Sequence, residues 1–409
     1  MNETAISEHT TLVRTGADRL LSDAPELIRD KRIGILTNHT GRLSDGRPLI
    51  DVVAESGLCT IKALYGPEHG IAGDTPDGEV VDHIAHPNLG IPIYSLYGKI
   101  HKPTREMLEG IDLLVCDIQD VGARFYTFIS TIALTMEAAA EQGIPFVILD
   151  RPNPIRGLHF DGPVRARSLK SFVGWMPIPV THGMTIGELA RLWNEEGWLA
   201  DYSLGHTANL KANLEIVPVD GWRRSMWFDE TGLPWVAPSP NMQSLETAVI
   251  YPGLCFVEGT SLSEGRGTLA PFQLLGAPWV DPEKVLKELS GCYTAGVTFS
   301  AERFVPRDIP GMASQPKYEN QECRGIRITT VDRNEIRPVC LGIALLAAFK
   351  RAHPRETEFR HRRFDILTGS SSIRQLLDRN AAPEEICNSW IPELERFGEI
   401  RSQHLLYKE

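Results

Sequence analysis

Four short polar segments hold most of the side chains that could carry out chemistry, and each one follows an apolar run. The segments are 38–41 (NHTG), 66–70 (GPEHG), 117–126 (DIQDVGARFY) and 150–154 (DRPNP). Short apolar runs that end in such turns are typical of strands in a parallel sheet, and open α/β sheets bind ligands beyond the carboxyl ends of their strands. We therefore predict a site at that edge of the sheet.

Glu68 is the strongest catalytic candidate in these segments. It lies between Pro67 and His69, in a loop closed by Gly70 and Gly73. No helical pattern follows directly, so a role as a helix-capping residue is the weaker interpretation. The sequence therefore favours a functional role for this carboxylate.

The other candidates at the strand ends divide into catalytic and substrate-binding residues. As catalytic partners of Glu68 we expect His69, Asp117 and Asp120, and as binding residues Asn38, His39, Arg124, Tyr126, Arg151, Asn153 and, further along, His182. Structural roles stay open for some of them. Asp117 could cap a helix, His69 could bond a backbone carbonyl, and the arginines could form buried ion pairs with neighbouring aspartates.

A second cluster of charged residues lies in the segment 258–268 (EGTSLSEGRGT), where Glu258, Glu264 and Arg266 are set among Gly, Ser and Thr. Such density of flexible polar residues is unusual for a connector, so we predict an active-site loop that binds substrate. The alternative is that Arg266 pairs with Glu258 or Glu264 and only orders the loop.

Known cofactor motifs are missing from the sequence. There is no G-x-G-x-x-G after the first strand, no G-x-x-x-x-G-K-[ST], no G-x-S-x-G and no H-E-x-x-H, so we expect neither a nucleotide, nor a metal, nor any other cofactor. A carboxylate-rich site without a cofactor suits general acid–base hydrolysis, and glycosidic bonds are the class most often cut in this way. The residues alone leave the substrate open.

Apolar runs that alternate with amphipathic stretches predict an α/β fold. In residues 12–247 they indicate a Rossmann-like domain with a parallel sheet. The predicted strands are 33–37, 61–65, 113–118, 146–150 and 214–219, and the predicted helices are 49–55, 128–140 and 186–196, the last opened by the capping box Thr185–Glu188.

The remaining residues, 248–409, predict a smaller α+β domain. The stretch 221–276 around its start is rich in Gly, Pro and Trp, and its hydrophobic residues show little helical or strand periodicity, so we expect it to be irregular. Beyond it we predict strands at 299–304 and 325–331 and helices at 282–289, 341–351 and 373–379.

Composition limits the partners and the location. The 409 residues include 42 Lys and Arg against 53 Asp and Glu, a net charge of −11, so nucleic acid and anionic membranes are not expected partners. The longest apolar run, Val339 to Phe349, is shorter than the roughly 18 residues of a membrane span. Seven cysteines without a C-x-x-C motif, and an N-terminus without a leader pattern, predict reduced thiols and a cytoplasmic location.

Ten segments of the sequence resemble one known family. They are LTNHTG (36–41), YGPEHGIAG (65–73), SLYG (95–98), KPT (102–104), DIQDVGARFYTFIST (117–131), LDRPNPIRG (149–157), PIPVTHGMTIGELA (177–190), LPWVAPSPNM (233–242), YPGLCFVEGTSLSEGRGT (251–268) and PFQLLGAPW (271–279). Together they are similar to the NamZ-type exo-β-N-acetylmuramidases, and the resemblance spans residues 12–409.

The resemblance implies a glycoside hydrolase that removes N-acetylmuramic acid from the non-reducing end of peptidoglycan fragments. It also implies an active site in the cleft between a Rossmann-like domain and a smaller C-terminal domain. The glutamate of the family's P-E-H-G motif, its favoured catalytic acid, falls on Glu68. The second catalytic group stays open between Asp117, Asp120, Glu258, Glu264 and the acetamido group of the substrate.

One departure from the family pattern concerns the substrate's lactyl carboxylate. Members commonly carry Arg where this chain has Ala72. The remaining cleft candidates to hold that carboxylate are Arg124, Arg151 and Arg266, and we favour Arg266 because its glycine neighbours allow close approach of the backbone. The alternatives for the whole protein are an exo-hexosaminidase for another amino sugar and a non-catalytic protein that binds cell-wall sugars.

Overall fold

A seven-stranded sheet organises the first domain in the computed structural model, which describes residues 12–75, 84–199, 210–289 and 293–408. Its strands are β1 (Arg32–Thr37), β2 (Thr60–Gly66), β3 (Ile84–Ala85), β4 (Pro92–Ser95), β5 (Leu113–Asp117), β6 (Phe146–Leu149) and β7 (Leu214–Val217). They lie in the order β3-β4-β2-β1-β5-β6-β7. Neighbouring strands are parallel except β3 and β4. The carboxyl ends of the central strands therefore share one edge.

Helices cover both faces of this sheet, because strands such as β5 are buried along their whole length and present apolar side chains on both sides. The helices of this domain are α1 (Gly16–Asp23), α2 (Leu49–Ser56), α3 (Thr127–Gln142) and α4 (Ile186–Glu195). In α3 every residue from Thr127 to Ala139 is buried. This helix starts at the edge of the sheet formed by the carboxyl ends of the strands, so its first turn lies where a site was predicted.

The second domain combines a small antiparallel sheet with seven helices in its described part. The sheet has the order β8-β10-β9. Its strands are β8 (Leu274–Ala277), β9 (Val297–Phe304) and β10 (Cys323–Thr330), and the helices are α5 (Leu245–Leu254), α6 (Pro282–Glu288), α7 (Pro338–Ala352), α8 (His361–Thr368), α9 (Ser371–Asp378), α10 (Pro383–Asn388) and α11 (Ile391–Ser402). Helices α5 and α7 meet at Gly253 and Gly342, where an added Cβ would lie 1.9 Å and 2.3 Å from backbone oxygens of the partner helix.

The fold class predicted from the sequence is confirmed, as are the predicted strands of both sheets and the capping box at Thr185. The expectation of irregular structure throughout 221–276 was wrong, since α5 and β8 lie in it. Helix α5 is buried on nearly all sides, so it needs no polar face and shows no helical period. The predicted domain boundary falls inside this helix.

The end of the chain returns to the first domain. Arg401 in α11 donates to the carbonyl oxygens of Gly157 and Gly183, and the Tyr407 hydroxyl donates to Asp150 beyond β6. One of the seven cysteines that were predicted to be reduced thiols, Cys292, lies outside the described residues. Within the described ranges, no helix is long and apolar enough to cross a bilayer, and the expected cytoplasmic location stays a prediction.

Candidate active site

A cavity of about 940 Å³ lies between the two domains, beyond the carboxyl ends of β2 and β4. The first domain contributes the loop after β2, the loop after β4 and the first turn of α3. The second domain contributes the segment 258–266 and the start of α8. Of the predicted site residues, the cavity brings together Glu68, His69, Tyr126, Glu258, Glu264 and Arg266.

Glu68 lies in the cavity wall with its carboxylate held by two hydroxyl groups. The Thr127 side chain, at the first position of α3, donates to Glu68 Oε2 over 2.6 Å. The Tyr97 hydroxyl also donates to this carboxylate, and burial together with the negative charge of Glu68 raises the pKa of Tyr97. Because the start of a helix carries partial positive charge, α3 adds a favourable field at this position. Glu68 is therefore fixed in orientation while half-buried beside the cavity.

His69 adopts a backbone conformation that few non-glycine residues take, with φ of 70°. Its ring Nδ1 donates to the carbonyl oxygen of Thr75 over 2.6 Å, and Phe128 packs against the ring edge. Burial lowers the pKa of His69, so the ring is neutral at pH 7. The bond to Thr75 therefore fixes the tautomer that carries its proton on Nδ1.

Five charged side chains of the second domain form one ion-pair cluster in the opposite wall. Glu258 pairs with Arg266 at 2.9 Å and with Arg363 at 2.7 Å. Glu264 pairs with Arg266 at 3.6 Å and with Lys317 at 3.0 Å. Burial raises the pKa of Glu258 and lowers that of Arg266 to about 10. Arg266 thus lines the cavity while it is shared between two carboxylates, which is the pairing left open in the sequence analysis.

Lys317 ties this cluster to the loop that carries it. Its ammonium group donates to the carbonyl oxygens of Val257, at 3.0 Å, and Leu262, at 2.8 Å, besides Glu264. The ammonium nitrogen has three N–H donors, and these contacts occupy them. Lys317 therefore orders the segment 257–264.

Aromatic rings form a further part of the wall. His101 stacks on Phe172 with ring centroids 4.1 Å apart, and Tyr97 lies edge-on to His101 at 6.0 Å. All three rings are half-buried and line the cavity, so they present an apolar surface to a ligand. These three residues were not among the predicted site residues, although Tyr97 lies in the SLYG segment and His101 directly precedes the KPT segment.

Asp117 and Asp120, two of the candidates for the second catalytic group, do not line the cavity. Asp117 is fully buried in a two-bond ion pair with Arg151, with Nη2 to Oδ2 at 2.9 Å. Asp120 accepts from the backbone N–H of Gly122 over 2.7 Å and lies 3.1 Å from His182 Nε2. These aspartates do not reach the cavity because the loops after β1, β5 and β6 pack on one another, and the buried polar groups of these loops form hydrogen bonds with each other.

The remaining strand-end candidates also make internal contacts away from the cavity. His39 bonds the carbonyl oxygen of Ala237 at 2.7 Å, and Asn38 accepts from the N–H and hydroxyl of Thr40. Asn153 donates to the carbonyl oxygen of Met184 over 2.9 Å. The structure thus brings the cavity to the ends of β2 and β4 and to the last residues of the loop after β5, where Phe125 and Tyr126 line it.

Arg124 joins the two domains beneath the cavity. It is almost completely buried and donates to the carbonyl oxygens of Pro163 at 2.7 Å, Ile178 at 3.1 Å and Leu367 at 2.7 Å. Leu367 belongs to the last turn of α8, where carbonyl groups lack helical partners. Arg124 therefore positions α8 rather than reaching the cavity.

Two arginines in the cavity wall, Arg360 and Arg363, were missed by the sequence analysis. They flank the start of α8, which was not predicted, in the basic run RHRR at 360–363. That run is the signal that could have identified them. Among the described residues, no three His, Cys, Asp or Glu side chains are grouped to hold a metal ion.

Comparison with known proteins relates the whole chain to one family. Residues 33–246 match the family model described as exo-β-N-acetylmuramidase NamZ, N-terminal, and residues 249–407 match its C-terminal counterpart. The chain is 41% identical over 396 residues to the peptidoglycan β-N-acetylmuramidase NamZ of Bacillus subtilis strain 168, which covers 97% of this chain and 91% of that protein.

Two crystal structures of DUF1343 family proteins from Bacteroides fragilis share the fold. One superposes with a TM-score of 0.87 at 33% identity and the other with 0.76 at 32% identity. Each alignment covers 97% of this chain and 99% of the other.

Proposed function

The chain belongs to the NamZ family of exo-β-N-acetylmuramidases, and from that membership we propose that it is a glycosidase acting on peptidoglycan fragments. It releases N-acetylmuramic acid from their non-reducing end. The cavity of about 940 Å³ is at the upper end of the roughly 300–1,000 Å³ typical of small-ligand sites. Such a volume suits a terminal sugar that enters the cavity, as exo-cleavage requires.

The position of Glu68 carries the mechanistic part of the proposal. Its carboxyl group is oriented by Thr127 and Tyr97 in the wall of the cavity. In the proposed reaction Glu68 donates a proton to the glycosidic oxygen as the bond to the leaving sugar breaks. It then takes a proton from the water that attacks the sugar, which restores its starting state.

Glu258 and Glu264 have a different part in this proposal. Both line the cavity, but each is held by two cations. We assign them the positioning of Arg266, Arg363 and Lys317, and we assign proton transfer to Glu68. His69, Tyr126 and Arg266 contribute to the walls that receive the sugar.

The test compares wild type with Glu68→Gln and with Glu55→Gln, a control on the exposed face of α2. The substrates are a chromogenic N-acetyl-β-muramide and a disaccharide with N-acetylmuramic acid at its non-reducing end. Glu68→Gln should lower kcat at least ~100-fold, the usual scale for loss of general acid–base catalysis, with unchanged thermal unfolding. The control should keep wild-type turnover.

Three results would contradict the proposal. Glu68→Gln activity within threefold of wild type, in a folded sample, would remove Glu68 from the mechanism. Wild-type protein that binds the muramide but releases no sugar would indicate a binding protein, and faster turnover of the glucosaminide than the muramide would indicate a hexosaminidase.

A further inference from the structure

We propose that Arg360 and Arg363 bind the carboxylate of the lactyl ether by which N-acetylmuramic acid differs from N-acetylglucosamine. This inference rests on the proposed function and adds the part of the site that selects the sugar. It assigns that role to the start of α8 in the second domain, a segment apart from the loop that carries Arg266.

Both arginines face the same space as Glu68. They line the cavity, and their spacing of three residues places them on one side of the helix start. Arg362, between them, does not line the cavity. Arg363 is close enough to Tyr97 to act on the pKa of that hydroxyl, and Tyr97 bonds Glu68. A sugar beside Glu68 can therefore present a substituent to the start of α8.

The other cations of this wall are already engaged by carboxylates. Arg266 is shared by Glu258 and Glu264, and Lys317 is held by Glu264. Among the described residues Arg363 makes one ion pair, with Glu258, while 47% of its side chain is exposed, so donors of its guanidinium remain for a second acceptor.

The side chain of Arg360 is engaged by fewer protein groups than that of Arg363. In the part of the chain that the structure describes, its side chain makes no hydrogen bond or ion pair, although its backbone N–H donates to the carbonyl oxygen of Gly259 over 2.7 Å. A guanidinium that lines a cavity without an internal partner is suited to a ligand anion. Because its backbone bond is independent of the side chain, substitution should leave α8 in place.

The charge pattern of α8 supports the same assignment. The run RHRR places three arginines at the helix start, and no acidic residue lies in the first turn. Positive charge is unfavourable there, because the helix N-terminus already carries partial positive charge. A bound carboxylate would offset this repulsion. Basic residues at a helix start depart from the usual preference for acidic residues there, and such departures are characteristic of functional sites.

The geometry of arginine explains the selectivity. A guanidinium meets a carboxylate with two parallel hydrogen bonds, and two arginines can share its lone pairs. N-acetylglucosamine has a hydroxyl at the corresponding position and offers no anion. Arg124 keeps α8 in register with the first domain through its bond to Leu367, so the basic pair and Glu68 are held on opposite sides of one volume.

The experiment compares Arg360→Gln with Arg362→Gln, a matched control that removes the same charge from the same turn outside the cavity. We measure kcat/KM for a chromogenic N-acetyl-β-muramide and the corresponding N-acetyl-β-glucosaminide. Inhibition constants of free N-acetylmuramic acid and N-acetylglucosamine give the same comparison without turnover. Arg360→Lys and Arg363→Gln complete the series, each checked by thermal unfolding.

We expect Arg360→Gln to lose about 10- to 100-fold on the muramide and to weaken inhibition by N-acetylmuramic acid by a similar factor, the scale for one charge-assisted contact. The values for both glucosamine compounds should change less than threefold. Arg360→Lys should recover part of the loss, and Arg363→Gln should also lose preference for the muramide. Arg362→Gln should match wild type.

Equal losses on both sugars, or an Arg360→Gln variant that behaves like Arg362→Gln, would overturn this assignment while the proposed function stood. Wild-type protein that fails to cleave the muramide would overturn the proposed function itself, and this inference with it. The two failures are distinguished by the wild-type measurement alone.

Discussion

The hydroxyl of Thr127 donates to the carboxylate of Glu68 over 2.6 Å. The bond joins the loop after β2 to the first residue of α3, the helix that follows β5. Strands β2 and β5 flank β1 in the sheet, so residues that are 59 positions apart in sequence meet at one edge. The orientation of the proposed catalytic carboxyl group thus depends on the sheet topology as well as on its own loop.

Replacement of this hydroxyl should reduce catalysis without unfolding the protein. Thr127→Val keeps the size and branching of the side chain but removes a donor to a carboxylate, a contact with a net value of about 1.5–3 kcal/mol. We expect kcat to fall about 10-fold or more. Thr135→Val, two turns further along α3, loses only a hydroxyl bonded to the Thr131 carbonyl and serves as control. Equal kcat in both variants would contradict the positioning role.

Tyr97 supplies the second hydroxyl, and its loss should also affect kcat more than KM. Burial and the charge of Glu68 raise its pKa, so the hydroxyl keeps its proton at neutral pH and donates. Tyr97→Phe should therefore lower kcat about 10-fold while the aromatic ring still lines the cavity. Tyr94→Phe, on β4 and outside the cavity lining, is the matched control. A rise in KM alone would indicate that Tyr97 contacts the substrate and not Glu68.

Glu68 could be predicted from sequence because its local signals agree. An apolar strand ends in P-E-H-G, no helix follows to explain the carboxylate, and parallel strands bring their carboxyl ends to one edge. The same rule selected Asp117 and Arg151, which pair with each other in a buried position. Strand-end position alone does not show whether the neighbouring loops leave space for a ligand or fill it with internal hydrogen bonds.

The contribution of the second domain was harder to predict. The segment 258–266 was selected for its composition, and it does line the cavity. Arg360 and Arg363 were not selected, because α8 is a short helix and a basic run more often marks a solvent-exposed surface. The packing of α8 against the first domain, through Arg124 and Leu367, helps to bring these arginines to the cavity.

The link between Arg124 and α8 should be important for stability. Arg124→Met keeps the length of the side chain but leaves the carbonyl groups of Pro163, Ile178 and Leu367 without this donor. Burial lowers the pKa of Arg124 to about 9. Because each buried carbonyl group left without its donor costs about 1–3 kcal/mol, the free energy of unfolding is expected to decrease by about 3–5 kcal/mol. Arg105→Met, at an exposed position, should change it by less than ~0.5 kcal/mol. Urea unfolding measures both.

The pH dependence of stability should report on Asp150, which links β6 to the end of the chain. Its carboxylate accepts from the Thr185 hydroxyl over 2.7 Å, from the Gly187 N–H over 2.8 Å and from the Tyr407 hydroxyl. Burial nevertheless raises the pKa of Asp150 to about 6. Between pH 4 and 6 the folded protein therefore holds a proton that the unfolded chain releases.

The sign of the effect follows from this difference in bound protons. The contribution of Asp150 to the free energy of unfolding is most favourable below about pH 4, decreases as the pH rises to about 6, and is constant above that. The total decrease is on the order of 2–3 kcal/mol. Asp150→Asn cannot titrate, so the stability of wild type relative to this variant should decrease by that amount between pH 4 and pH 7. Urea unfolding of both proteins across this range measures it, with Asp51→Asn, an exposed carboxyl in α2, as control. Parallel stability curves for wild type and Asp150→Asn would show that Asp150 stays ionised in the folded protein at pH 5.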